Sequence, residues 1–108
     1  MRLALEHLRR TLTKGNLWLY ILSELAKGDA TPAELRVRVV RRHGFSPAVI
    51  TFYSVLYKLR KEGLVVKASG KFRSAYSITQ KGKAELVLAG TALQDTVDRI
   101  RADASGSA

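Results

Sequence analysis

Residues 51–66 read TFYSVLYKLRKEGLVV, and the placement of their large apolar side chains decides the fold. Phe52, Leu56 and Leu59 recur at intervals of 4 and 3, so they share one face of a helix with Val49 just upstream, and Tyr53 and Val55 lie at its edges. The opposite face holds Ile50, Thr51, Ser54, Tyr57, Lys58 and Lys61, and no acid follows until Glu62. Gly63 stops the helix. Leu64 to Ala68 then reads as a strand, Ser69 and Gly70 as a turn, and Arg73 to Thr79 as the returning strand. A helix with a polar, basic outer face thus runs directly into a two-stranded hairpin.

Upstream, Ser46 and Pro47 are placed to open this helix as N-cap and first-turn residues. Thr31, Pro32, Ala33 and Glu34 form a capping box that starts the preceding helix, with Leu35, Val39 and Val40 inward and Gly44 at its end. Leu17 to Ala26 is apolar on more than half its circumference, which predicts burial on several sides. Met1, Leu5, Leu8 and Leu12 form a single stripe on a first helix that Lys14 and Gly15 interrupt. Downstream of Thr79, Leu86, Ala89, Leu93, Val97, Ile100 and Ala104 recur at intervals of 3, 4, 4, 3 and 4, close to a coiled-coil seam. Gly90 within that helix predicts a kink or a close helix crossing. The order is helix, helix, helix, helix, hairpin, helix. That is a mainly α fold with a small β-hairpin (α+β), a winged helix-turn-helix with extra N- and C-terminal helices that form a dimer. Residues 1–14 are then an N-terminal dimerisation helix and 15–79 the DNA-binding domain. Residues 80–104 form a C-terminal dimerisation helix and 105–108 a flexible tail.

Charge follows the same division. The 108 residues carry 19 Lys and Arg against 9 Asp and Glu, a net +10. Residues 1–35 hold 5 bases and 4 acids (+1), residues 36–83 hold 12 bases and one acid (+11), and residues 84–108 hold 2 bases and 4 acids (−2). The excess sits on the central helices and the hairpin, so a polyanion should meet that part of the chain. Several classes are excluded. Without cysteine there is no disulfide framework, thiolate metal site or catalytic thiol, and His7 and His43 lie too far apart for a two-histidine zinc helix. The acids Glu6, Glu24, Glu34, Glu62 and Glu85 are read as capping or solvated residues. No nucleophile, base and orienting group converge, so the chain is read as a non-enzyme without metal or cofactor. Apolar runs are short, which leaves a soluble protein, expected in the cytoplasm on the nucleoid and not on a membrane.

The major groove admits one helix whose outward side chains must be polar or basic. Thr51, Ser54, Tyr57, Lys58 and Lys61 meet that need, Ser46 precedes them, and Lys67, Lys71 and Arg73 add charge on the wing. Of Arg36, Arg38, Arg41 and Arg42, which cannot all point one way, two are assigned to the DNA backbone, Arg36 among them. His43 reads as a helix-end residue and Trp18 as a core or interface ring. Leu5, Leu8 and Leu12 and then Leu86, Leu93, Val97 and Ile100 supply the dimer contacts.

TFYSVLYKLRKEGLVV, followed by RSAYSITQKG at 73–82, resembles the PadR family of winged-helix regulators. The matching positions are Phe52 and Tyr53, Leu56 and Leu59, Glu62 to Leu64, and then Tyr76, Ile78, Thr79 and Gly82. The resemblance covers about a third of the chain. It departs from the family at Thr31 to Glu34, where members usually carry His-Gly-Tyr-Glu. It implies a homodimer that binds an inverted repeat in double-stranded promoter DNA as a repressor. It also implies that Tyr53, otherwise readable as a core ring, reaches a phosphate. No effector is identified. Two rival readings share the winged core: a non-specific architectural protein that coats DNA by charge, and a protein-interaction adaptor.

Overall fold

The computed structural model describes residues 2–68 and 74–106. Within them α1 spans Arg2–Thr13, α2 Leu17–Leu25, α3 Pro32–His43 and α4 Val49–Lys61. The hairpin strands are β1, Val65–Lys67, and β2, Tyr76–Ile78, and α5 runs over Gln80–Ser105. A 3-10 turn, Lys14–Asn16, joins α1 to α2.

The dense apolar segment becomes the centre of the molecule. Leu17, Ile21, Leu22 and Leu25 of α2 are buried against Leu35 and Val39 of α3 and Phe52, Leu56 and Leu59 of α4, with Leu64 and Val65 closing one end. Each fully buried aliphatic or aromatic side chain stabilises the fold by about 1.5–3 kcal/mol, so this cluster is the main source of stability. α3 starts as its capping box requires: Thr31 Oγ1 accepts from the Glu34 N–H and Glu34 Oε1 accepts from the Thr31 N–H. That backbone N–H, more than any other cause, holds the Glu34 carboxyl below its ordinary range.

Several features differ from the sequence expectation. α4 begins at Val49, three residues after Ser46, and its N-cap is Ala48 with extended backbone and no side-chain bond. The cause lies in α3. Arg36 Nε and Nη2 donate to the Pro47 carbonyl at 3.2 and 2.8 Å, which holds the buried proline in the connection and out of the helix. Val49, expected inside, is exposed because the helix starts there, beyond the reach of the core. Glu24, read as solvated, is 3% exposed. Its Oε2 takes Arg42 Nη1 at 2.9 Å and lies 3.0 Å from His43 Nε2, a charged clamp between α2 and the end of α3. The His43 ring also packs on Tyr20, at 4.7 Å between centroids, so it is a core-edge residue as well as a helix end.

The hairpin is antiparallel with Val65 opposite Ile78 and Lys67 opposite Tyr76, and both strands are shorter than their apolar patterns predict. Ala30 pairs with Tyr76 through two backbone bonds, adding a bridge beside β2 that ties the loop before α3 to the wing. The wing tip, with Lys71 and Arg73, lies outside the described residues.

α1 leaves the core at an angle set by Tyr20, whose hydroxyl donates to the Leu12 carbonyl at 2.6 Å, and by Asn16 Nδ2 on the Thr11 carbonyl. Burial pushes the Tyr20 phenol above its ordinary pKa. α5 is anchored at its start. Thr79 caps it, accepting from the Gly82 N–H at 3.0 Å while its hydroxyl donates to the Gly63 carbonyl at 2.7 Å. Gly63, at φ 78°, takes the left-handed turn that ends α4, a conformation open to glycine at little cost. Leu86, expected at the dimer contact, packs on the chain's own core because it lies one turn beyond this anchor. From residue 90 to 105 every position of α5 is exposed. α5 runs through Gly90 without a break, and among the described residues nothing lies within 4 Å of where its Cβ would be, so no other helix of this chain crosses closely there. The protruding helices give extents of 59 × 27 × 21 Å and a radius of gyration of 15.9 Å. A compact domain of about 100 residues has about 13 Å.

A Cβ on Gly82 would stand 2.2 Å from the Leu64 carbonyl oxygen and 2.7 Å from Ile78 Cγ1. Gly82→Ala should therefore destabilise the fold by about 3 kcal/mol through overpacking against backbone. Urea unfolding measures this, and a loss under about 1 kcal/mol would contradict the close approach.

Candidate nucleic-acid interface

Directly opposite the buried Phe52, Leu56 and Leu59, α4 presents Ile50, Ser54, Tyr57 and Lys61, spaced i, i+4, i+7 and i+11. All four are exposed. Lys61 Nζ lies 5.7 Å from the centre of the Tyr57 ring, which steadies both long side chains in one stripe. Thr51 and Lys58 lie along one flank. Thr51 faces Lys14, Leu17 and Pro47 across a cavity of about 150 Å³, and Lys58 faces Trp18, Leu64 and Glu85 across one of about 330 Å³. Tyr53 and Arg60 occupy the other flank, with Tyr53 exposed and its ring edge-on to Phe52 at 5.9 Å. The helix has no acid in its first turn and Lys58, Arg60 and Lys61 in its last.

The wing contributes Lys67, exposed at the end of β1. Ser46 is exposed in the connection between α3 and α4 and does not cap the helix. Among the arginines of α3, three have partners within the chain. Arg36 holds Pro47, Arg38 Nη1 reaches the Gly28 carbonyl at 3.3 Å, and Arg42 pairs with Glu24. Among the described residues Arg41 makes no such bond. The spacing of these arginines gives no sign of this, because each partner lies 10 to 18 residues away. Arg60, on the flank of Tyr53, belongs to the same exposed surface, and the lack of any acid in α4 is the signal that could have found it.

Trp18 is half-buried and rims two cavities. The second, of about 200 Å³, is lined by Leu12, Asn16, Leu19, Ala89, Ala92 and Leu93, where α1 and α2 meet α5. Among the described residues no helix is long and apolar enough to cross a membrane, and no His, Asp and Glu cluster is placed to hold a metal ion.

Three helices packed on one core, the third with a polar and basic outer face, and a hairpin beside it define a winged helix-turn-helix. Solved structures share it over most of the chain. A transcriptional regulator from Clostridium thermocellum is 25% identical with a TM-score of 0.67, over 81% of this chain and 88% of that one. A candidate transcriptional regulator from Thermoplasma acidophilum is 27% identical with a TM-score of 0.66, over 88% and 96%. A PadR family transcription regulator from Clostridium difficile, at 20% identity, has the same fold with a TM-score of 0.65 over 79% and 97%. No protein-family model and no curated protein sequence matches the chain. The chain has the winged-helix fold on which these transcriptional regulators, a PadR family member among them, are built.

Arg36 acts as a latch in this structure, and the two roles open to it separate cleanly by salt. Each phosphate that a protein no longer neutralises lowers the slope of log K against log salt by about 0.9. Arg36→Gln should leave that slope on duplex DNA unchanged while lowering stability by about 1.5–3 kcal/mol, the worth of a charge-assisted bond. A reduced slope with unchanged stability would place Arg36 on a phosphate.

Proposed function

We propose that the chain is a transcription regulator that binds double-stranded DNA as a homodimer, recognises an inverted repeat in a promoter and represses from it. The observation that carries this is the outward face of α4, where Ser54, Tyr57 and Lys61 form a stripe flanked by Thr51, Lys58, Tyr53 and Arg60 with no acid among them. Such a face suits the major groove, where side chains of a single helix meet base edges and phosphates. Tyr53, Ser46 and Lys67 are assigned to the backbone around it, with Lys71 and Arg73 of the wing tip. The names of the structural neighbours, transcriptional regulators in three organisms, support the same reading.

The dimer is inferred from what a lone chain leaves in water. A helix whose last 16 residues are all exposed is marginal in isolation, because most helical stability comes from packing an apolar face. Leu93, Val97 and Ile100 of α5 and Leu5, Leu8 and Leu12 of α1 are exposed. A second copy laid on these two stripes covers both, and Gly90 permits close helix approach there. Two recognition helices are then presented on one side of a duplex, about 34 Å apart.

Sedimentation should report a dimer at micromolar concentration. Competition should show preference for a selected promoter fragment over random DNA of at least ~10³. Equal competition would turn the reading to an architectural protein. Lys58→Glu with Lys61→Glu should weaken binding by on the order of tenfold at 0.1 M salt for each phosphate left without its lysine. Unchanged affinity in that variant would favour an adaptor.

A further inference from the structure

Phosphate contacts do not account for one member of the outward stripe. Ile50 is 85% exposed, more than any other large hydrophobic side chain among the described residues. It lies in the first turn of α4, opposite the core, where a β-branched residue neither packs nor favours the helix. Its place is nonetheless well defined, because it stands in the first turn of α4 and the Arg36 bonds to Pro47 hold the backbone three residues before it. Thr51, Ser54, Tyr57 and Lys61 follow it on the same exposed surface, in the part of the chain that carries +11. An apolar group on such a face suits a polyanion that also offers an apolar spot. In the major groove the C5-methyl of thymine is the apolar group on a base-pair edge, and aliphatic side chains read it by contact. The residues at the start of a recognition helix are those that reach base edges.

We infer that Ile50 is a specificity-determining residue that packs on the C5-methyl of a thymine, one in each half-site. The inference rests on the DNA-binding reading above and adds to it the base that the leading turn of α4 selects. Thr51 and Ser54 remain available for polar edges beside that thymine.

The test starts from duplexes enriched by the wild-type protein from a random pool. In the best of them each thymine is replaced in turn by deoxyuridine, which keeps the pairing and the O4 acceptor and loses only the methyl. One position in each half-site should weaken binding roughly fourfold, as expected for one buried carbon, and about sixteenfold when both half-sites are changed. With Ile50→Ala, deoxyuridine at that position should have no effect, while its effect elsewhere persists. Ile50 is exposed, so thermal unfolding of the variant should match the wild type. A deoxyuridine effect of equal size in both proteins, or none at any position, overturns the role of Ile50 and leaves DNA binding intact. A pool with no enriched duplex overturns the DNA-binding reading itself, and the inference with it.

Discussion

The hydroxyl of Thr79 holds three elements at one point. It donates to the Gly63 carbonyl at the end of α4, accepts from the Gly82 N–H at the start of α5, and sits where the Thr79 N–H reaches the Leu64 carbonyl at the base of the wing. Gly82 lets the backbone of α5 come against Leu64, a distance that any side chain would forbid. Lys81 Nζ adds a bond to the Glu62 carbonyl on the outer side. Since every residue of α5 from 90 to 105 is exposed, this joint, together with Leu86 packed on the core, sets the direction in which the helix leaves. The relation of α4 to α5 therefore depends on it.

A second set of polar contacts fixes the other end of α4. Arg36 holds Pro47 in front of α4, and Glu24 clamps Arg42 and His43 at the end of α3. Glu24 is buried, so its carboxylate depends on these partners, and removing Arg42 would leave it without its charged partner inside the fold. The arginines of α3 thus serve the fold at three of four positions, and among the described residues the exposed charge left for a polyanion gathers on α4, with Arg41 and Lys67 beside it. The net charge of +11 over residues 36–83 overstates the free cationic surface accordingly.

Much of the fold is legible in the sequence where the cause is local. The capping box at Thr31 to Glu34 depends on residues three apart, and it forms as read. The core face of α4 follows from the spacing of Phe52, Leu56 and Leu59, and the end of that helix from Gly63. Ser46 marks the wrong start for α4 because the deciding bond comes from Arg36, 11 residues before Pro47. Glu24 looks like a surface acid because its partners lie 18 and 19 residues away. The split of the C-terminal stripe, with Leu86 in the core and Leu93 beyond it, depends on where α5 leaves the domain, and periodicity does not encode that. Ile50 is visible on the outer face from its spacing alone, but its exposure becomes a chemical problem only once the helix around it is seen to be anchored.

Two copies of α4 held in register by α5 should mark a duplex in a way that neither a monomer nor a coating protein can. Hydroxyl-radical footprinting of the protein on a selected duplex tests that most directly. Two protected patches related by a dyad are expected, with centres about 10–10.5 base pairs apart or a multiple of that spacing. Continuous protection along the duplex, or a single patch without symmetry, would contradict it.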